Sequence, residues 1–141
     1  SFMTADEQKD RIRYFYEVVV SQNQLDRLYD YVADDCTVRV GETEYACGIA
    51  GMREHLQAIR VTYPDYSMRI IRQHCDGEYV ISEFIMQGKH EGQWIGIKPT
   101  GRTLSFNGVD IDRMVDGKIV EHGGAVNTFE TLLENRLIQP V

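Results

Sequence analysis

Two β-rich runs meet at Asp116-Gly117, and no other stretch restricts the fold as strongly. An Asp-Gly pair between such runs signals a two-residue hairpin loop, because both central residues need positive φ and these two tolerate it. The pattern predicts a glycine-bearing loop from Gly88 to Gly101, a strand over Arg102–Val115, the turn, and a strand over Lys118–Asn127. A second pair, Asp76-Gly77, joins the runs Tyr66–Cys75 and Glu78–Gln87 in the same way. Two such hairpins in series make a four-stranded antiparallel meander. Strands of this length belong to a strongly curved sheet, and a curved sheet needs something in its hollow.

The chain ahead of the meander supplies candidates to fill that hollow. Thr4-Ala5-Asp6-Glu7 reads as a capping box, with two acids at the positive end of a helix. Ile12, Phe15, Tyr16 and Val19 then recur at helical spacing. After the break at Ser21-Gln22-Asn23, Leu25, Leu28, Tyr29 and Val32 predict a second, shorter helix. Cys36–Val40 alternates as a short strand ended by Gly41, with a return strand over Tyr45–Cys47. Ile49, Met52, Leu56 and Ile59 mark a third helix over Gly48–Thr62, stopping before Pro64. Thr128–Leu137 closes the chain as a short helix or tail. Helices grouped ahead of an antiparallel sheet give an α+β class in which they cover one face.

The 141 residues fit one domain, taken as 3–141, with Ser1-Phe2 ahead of Met3 reading as a tag remnant. A domain of this size buries roughly 68–70% of its unfolded surface, enough for a real core. Twenty-two acidic against 15 basic residues, a formal charge of −7, argue against nucleic acid or an anionic membrane as the main partner. No apolar run approaches the roughly 18 residues of a membrane span and no signal peptide is visible, so the expected place is the cytoplasm. Cys36, Cys47 and Cys75 are odd in number and lack a CxxC spacing, which predicts free, mostly buried thiols. Phosphate-binding glycine loops, a Gly-x-Ser-x-Gly elbow and a His-Glu-x-x-His pair are all missing, so neither a cofactor nor a metal is implied.

The segments His90-Glu91-Gly92, Gly96-Ile97-Lys98-Pro99-Thr100-Gly101-Arg102, Gly108-Val109-Asp110-Ile111 and Asp116-Gly117-Lys118-Ile119-Val120-Glu121-His122 resemble the SnoaL-like polyketide cyclases. These are small members of the NTF2-like superfamily. Tyr63-Pro64-Asp65 and the order of upstream elements also fit. The resemblance implies an NTF2-like cone, a curved antiparallel sheet with the three helices of the N-terminal half packed in its concave face. It further implies a small-molecule ligand held in the cone's mouth and a homodimer through the outer sheet face. In this family an acid or histidine at the place of Asp110 lines the pocket. The family's last strand carries a catalytic carboxylate and usually a Trp after Glu-His. Here those places read Gly123-Gly124-Ala125-Val126-Asn127, with Asn127 where an Asp is frequent. A Gly in place of Trp enlarges the space.

A regular two-residue turn at Asp116-Gly117 sets Val115 opposite Lys118, Arg113 opposite Val120, Ile111 opposite His122 and Val109 opposite Gly124. That face is the more apolar one and is expected to point inward, carrying His122. Its imidazole, with an ordinary pKa of about 6.5, suits general acid or base work near neutral pH. On this register Asp110 and Asp112 face the other way. Asp110 joins His122 only if a bulge shifts the pairing, and Gly123-Gly124 offers a place for one. Once buried in an apolar hollow, Asp110 would have a raised pKa. Trp94 offers a flat apolar surface for a ring on a loop that reads as a rim or lid, with His90 at its start. Tyr16 could direct a hydroxyl into the hollow, and Asn127 could orient a carbonyl. Arg72 and Glu83 read as an ion pair across the Asp76-Gly77 hairpin.

These expectations converge on cofactor-free acid/base chemistry next to a carbonyl: aldol cyclisation, isomerisation or dehydration, with His122 or Asp110 moving the proton. Two alternatives stay open. One is a non-catalytic ligand-binding or dimerisation module. The other is water attack on an epoxide in the manner of limonene epoxide hydrolase, which requires acidic groups bridged by an Arg.

Overall fold

The computed structural model describes residues 2–141. Helix α1 spans Ala5–Tyr14 and opens with the capping box: Glu7 N–H donates to Thr4 Oγ1 at 3.1 Å, and Thr4 N–H donates to Glu7 Oε1 at 3.0 Å. It runs directly into a π-helical turn, Phe15–Val20, that buries Phe15, Tyr16, Val19 and Val20 together. A π turn shifts the angular placement of side chains relative to a regular helix and is frequent at functional sites. The second helix is a 3-10 segment, Leu25–Asp30, and Val32 begins a strand instead of closing a helix.

Strand β1 (Val32–Val40) turns at Gly41, where φ is +61°, into β2 (Thr43–Ala46). Helix α2 (Gly48–Thr62) precedes β3 (Ser67–Asp76), β4 (Tyr79–Lys89), β5 (Thr103–Val115) and β6 (Lys118–Val126), and α3 (Thr128–Glu134) follows. The six strands form one curved sheet in the order β2-β1-β6-β5-β4-β3. β3 to β6 are the antiparallel meander expected from the two Asp-Gly turns. β1 joins parallel to β6, which makes the sheet mixed. Arg72 and Glu83 are directly opposed and ion-paired, because an irregularity after Ile70 shifts the β3–β4 register. The α1 segment and its π turn lie over β3 and β4, and α2 lies over β1, so the concave face is roofed by the N-terminal half. Cys36 is buried, Cys47 and Cys75 are half-buried, and all three are free.

One expectation is corrected here. The inward face of β5 is the even-numbered one: Leu104, Phe106, Asp110, Asp112 and Met114 are buried, whereas Val109, Ile111 and Val115 are exposed. The β5–β6 pairing slips between Arg113↔Glu121 and Met114↔Ile119, leaving Val120 as an extra residue. This bulge lies immediately after the hairpin and ahead of Gly123-Gly124. Past it, His122 sits opposite Asp112, and Asp110 opposite Gly124. One inserted residue exchanges the faces of everything beyond it. Gly124 serves this packing by having no side chain: a Cβ there would meet Val109 O at 2.2 Å, and its φ is +145°.

Candidate functional site

The π turn of the first helical segment and the bulge of β6 bring Tyr16, Asp112 and His122 into contact. Asp112 is fully buried at the centre. Its Oδ2 accepts from the Tyr16 hydroxyl at 2.6 Å, and its Oδ1 accepts from His122 Nδ1 at 2.7 Å. A carboxylate only accepts, so this geometry assigns the Nδ1 proton to His122 and leaves Nε2 free of any protein partner among the described residues. Tyr16 Oη and His122 Nδ1 lie 3.3 Å apart because both donate to the same carboxylate.

Asp110 stands two residues before Asp112 on the same strand face and is 9% exposed. Burial pushes its pKa up to about 7, against the pull of the His122 charge and with added repulsion from Asp112. Burial draws His122 the other way, but the charge and hydrogen bond of Asp112, with Asp110 behind it, prevail and hold it up at about 9. Tyr16 stays a neutral donor, since burial and the two carboxylates raise its pKa well above the ordinary value. Near neutral pH the end of the hollow therefore presents an imidazolium beside a carboxyl group poised to gain or lose a proton.

Two adjoining chambers of the hollow share part of their lining. The inner one, of about 170 Å³, is bordered by Tyr16, Tyr66, Phe84, Asp110 and His122. The outer one, of about 300 Å³, is walled by Tyr63, Trp94 and Phe106, and His55, Ile59, Met86 and Val126 line both. Trp94 meets Phe106 edge-on at 5.7 Å between ring centres, and Tyr63 at 5.9 Å. Its loop folds back on itself through Ile95 and Gly96, both at positive φ, with reciprocal backbone bonds between Trp94 and Ile97. His55 stands at the opening, within reach of solvent, while the surrounding walls and the nearby His122 charge lower its pKa.

Asp110, His122 and Tyr16 thus share the inner chamber, and Trp94 lines the outer one. His90 does not line either chamber. It is fully buried behind Tyr63, with its Nδ1 3.1 Å from Thr100 Oγ1, where it pins the two ends of the loop together. Asn127 sits ahead of α3 with its amide donating to Glu130 Oε2 at 3.0 Å, away from the chambers. Arg113 pairs with Glu78 at 3.1 Å on the other sheet face, so the cation beside Asp110 and Asp112 is a histidine and no Arg bridges the two acids. The sequence alone does not single out Asp112, His55 or Tyr66. A signal for Asp112 existed: Leu104, Phe106 and Met114, the large apolar residues of β5, share its parity. His55 adjoins the apolar stripe of α2, and Tyr66 carried no signal at all.

A family described as SnoaL-like polyketide cyclase matches residues 10–134. The nogalonic acid methyl ester cyclase of Streptomyces nogalater is 32% identical over 65 residues. That match spans 45% of this chain and 48% of the relative, about half its length. Among solved structures, AclR of Streptomyces galilaeus superposes with a TM-score of 0.83 at 21% identity, covering 98% of this chain and 86% of that one. IdmH of Streptomyces antibioticus gives 0.77 at 22% identity, covering 94% and 99%. A SnoaL-like polyketide cyclase from Agrobacterium tumefaciens gives 0.79 at 16%, covering 96% and 100%. At such identities these likenesses are of fold. Among the described residues no helix is long and apolar enough to cross a membrane.

Proposed function

Because the chain belongs to the SnoaL-like polyketide cyclase family, we propose that its hollow binds a small carbonyl-bearing molecule and moves a proton at the carbon beside that carbonyl, without a cofactor. Asp110, ionised, takes the C–H proton, and the electron pair passes to the carbonyl oxygen to give an enolate. His122 donates through Nε2 to that oxygen, its orientation held by Asp112 and Tyr16. A donor placed in advance where charge develops is usually the largest contribution to such a step. The enolate carbon then attacks a second carbonyl of the same molecule, and the new alkoxide collects the proton from Asp110. The partial likeness to a nogalonic acid methyl ester cyclase supports ring closure as the first outcome to assay, ahead of isomerisation or dehydration.

The observation that carries this reading is the buried carboxyl of Asp110 sharing a largely apolar chamber with His122, whose ring is held by Asp112; burial raises the Asp110 pKa toward neutrality. A base works best with a pKa near the working pH. The test is deuterium incorporation by NMR into a panel of aromatic 1,3-dicarbonyl compounds in D2O. Catalysed exchange that disappears in Asp110→Asn supports the base. Ligand binding without exchange overturns it in favour of a ligand-binding module.

The outer sheet face supports a homodimer. Val109, Ile111 and Val115 are exposed there, flanked by the Arg39–Glu121 and Arg113–Glu78 pairs, each at 3.1 Å. Light scattering coupled to gel filtration distinguishes a mass near 32 kDa, twice the 16.2 kDa chain, from the monomer. Three free thiols fit a reducing compartment such as the cytoplasm.

A further inference from the structure

The inner chamber contains a second hydrogen-bond donor that the Asp112–Tyr16–His122 cluster does not use. Tyr66 is 5% exposed and lines the chamber with Asp110 and His122, yet its hydroxyl has no hydrogen-bond partner among the described residues. The other tyrosine hydroxyl of the hollow without a partner, that of Tyr63, is sealed from solvent. The Tyr66 hydroxyl, by contrast, is not sealed from solvent, and Tyr66 borders the inner chamber. A buried phenol without a partner loses its hydration and gains nothing in return, unless a ligand completes it.

We propose that Tyr66 is a catalytic residue whose hydroxyl donates to a ligand oxygen opposite Asp110, so that enolate charge is shared between Tyr66 and His122. The proposal rests on the reading of Asp110 as the base. In the step, Asp110 gains the proton from carbon and the electron pair moves to the oxygen. Tyr66 keeps its own proton throughout and only donates a hydrogen bond.

Two further features support this assignment. The turn that holds Tyr66 is fixed from several sides: Tyr66 N–H donates to Tyr63 O at 3.0 Å, Arg60 donates to Pro64 O at 3.0 Å, and Lys89 N–H donates to Asp65 Oδ1 at 2.7 Å. The Arg60 guanidinium also lies 5.8 Å from the centre of the Tyr66 ring. A donor held in place this way needs little reorganisation when charge appears. Burial and the Asp110 charge also keep the phenol protonated, raising its pKa beyond the ordinary tyrosine value.

The test compares 2-naphthol, a flat enol mimic, with naphthalene, which has the same ring surface but no oxygen. Affinities are measured by fluorescence titration for the wild type, Tyr66→Phe and Asp110→Asn. The expected result is a three- to tenfold loss of 2-naphthol affinity in Tyr66→Phe, on the order of one neutral hydrogen bond, with naphthalene binding unchanged. Unchanged 2-naphthol binding by Tyr66→Phe, with dicarbonyl exchange still abolished by Asp110→Asn, overturns the Tyr66 role and leaves the base intact. Loss of affinity in Tyr66→Phe while Asp110→Asn still exchanges upholds Tyr66 as a ligand donor and overturns its catalytic role together with the base. A wild type that binds neither compound overturns both. If Tyr66→Phe does not fold, a wild-type co-crystal decides: the naphthol oxygen at about 2.7 Å from Tyr66 Oη supports the proposal, and an oxygen elsewhere overturns it.

Discussion

The two ends of the hollow treat their polar atoms in opposite ways. At the inner end the Tyr16 hydroxyl and His122 Nδ1 both donate to Asp112, while His122, Asp110 and Tyr66 border the cavity, His122 with its Nε2 unpartnered. At the outer end Tyr63 Oη and His90 Nε2 are unpartnered but sealed away, and the cavity is walled mainly by the rings of Tyr63, Trp94 and Phe106, with His55 shared between the two ends. The contrast separates two tasks: charge is arranged at one end, and a flat apolar body is received at the other. It implies that changes at the inner end should move rates and titrations, whereas changes at the outer end should move affinity alone.

The sharpest way to break that comparison is Asp110→Asn. The amide fills nearly the same volume but does not take a proton near neutral pH, so exchange should fall about 10²- to 10⁴-fold, the usual contribution of a positioned base. Ligand affinity should stay within a few fold. A variant that loses affinity and keeps its turnover rate would reverse the roles of the two ends.

Next comes Asp112→Asn, which leaves the buried end of His122 facing an amide. Removing one partner of a buried ion pair costs about 3–5 kcal/mol, read as a shift in the urea midpoint. The pKa of His122 should fall from about 9 to below its ordinary value, because burial then acts with less opposition, and NMR titration of the ring follows this directly. Stability lost with the His122 titration unmoved would mean that Asp112 serves packing alone.

The same groups give the fold a pH dependence of fixed sign. Both folded-state pKa values are raised, Asp110 to about 7 and His122 to about 9. A raised value contributes stability that is fully present below the unfolded pKa and is lost as pH rises through the folded one. Stability should therefore decline between about pH 4 and 7 through Asp110, and between about 6.5 and 9 through His122. Urea unfolding across this range checks it. Asp110→Asn should flatten the lower part of the curve and His122→Gln the upper part. A curve that rises with pH would overturn the charge assignment.

Much of this architecture can be read from local chemistry. The capping box at Thr4, the two Asp-Gly turns and the stripe of α2 each state their element within a few residues, and those elements appear where expected. The inner face of β5 is not legible in the sequence for a physical reason. Both parities of that strand carry apolar residues, because Val109, Ile111 and Val115 face outward on an uncovered sheet surface, and a single bulge residue at Val120 reverses the pairing of all that follows. Nothing within β6 marks Val120 as the extra residue, since any β-branched residue suits a strand. His90 shows a second limit: its place beside Trp94 in the chain suggested a ligand contact, while burial behind Tyr63 depends on how the loop closes over α2. Asp112, His55 and Tyr66 became visible as a group only once three separate elements converged.

The smallest expected effect lies at the outer end and tests the comparison from its apolar side. Trp94 packs edge-on against Phe106 and Tyr63, and its indole forms one wall of the 300 Å³ chamber. Trp94→Ala removes that wall while leaving Asp110, Asp112 and His122 in place, so ligands with a fused-ring body should bind about tenfold more weakly, roughly 1.4 kcal/mol. The effect should grow with ring area and vanish for a single-ring dicarbonyl compound too small to reach the outer chamber. The pH profile of exchange should be unchanged, because no titrating group of the inner chamber touches the indole. A Trp94→Ala variant whose profile shifts would show that the loop sets the electrostatics of the inner end by closing it to water, and the division between a charged end and a receiving end would then give way to a single coupled site.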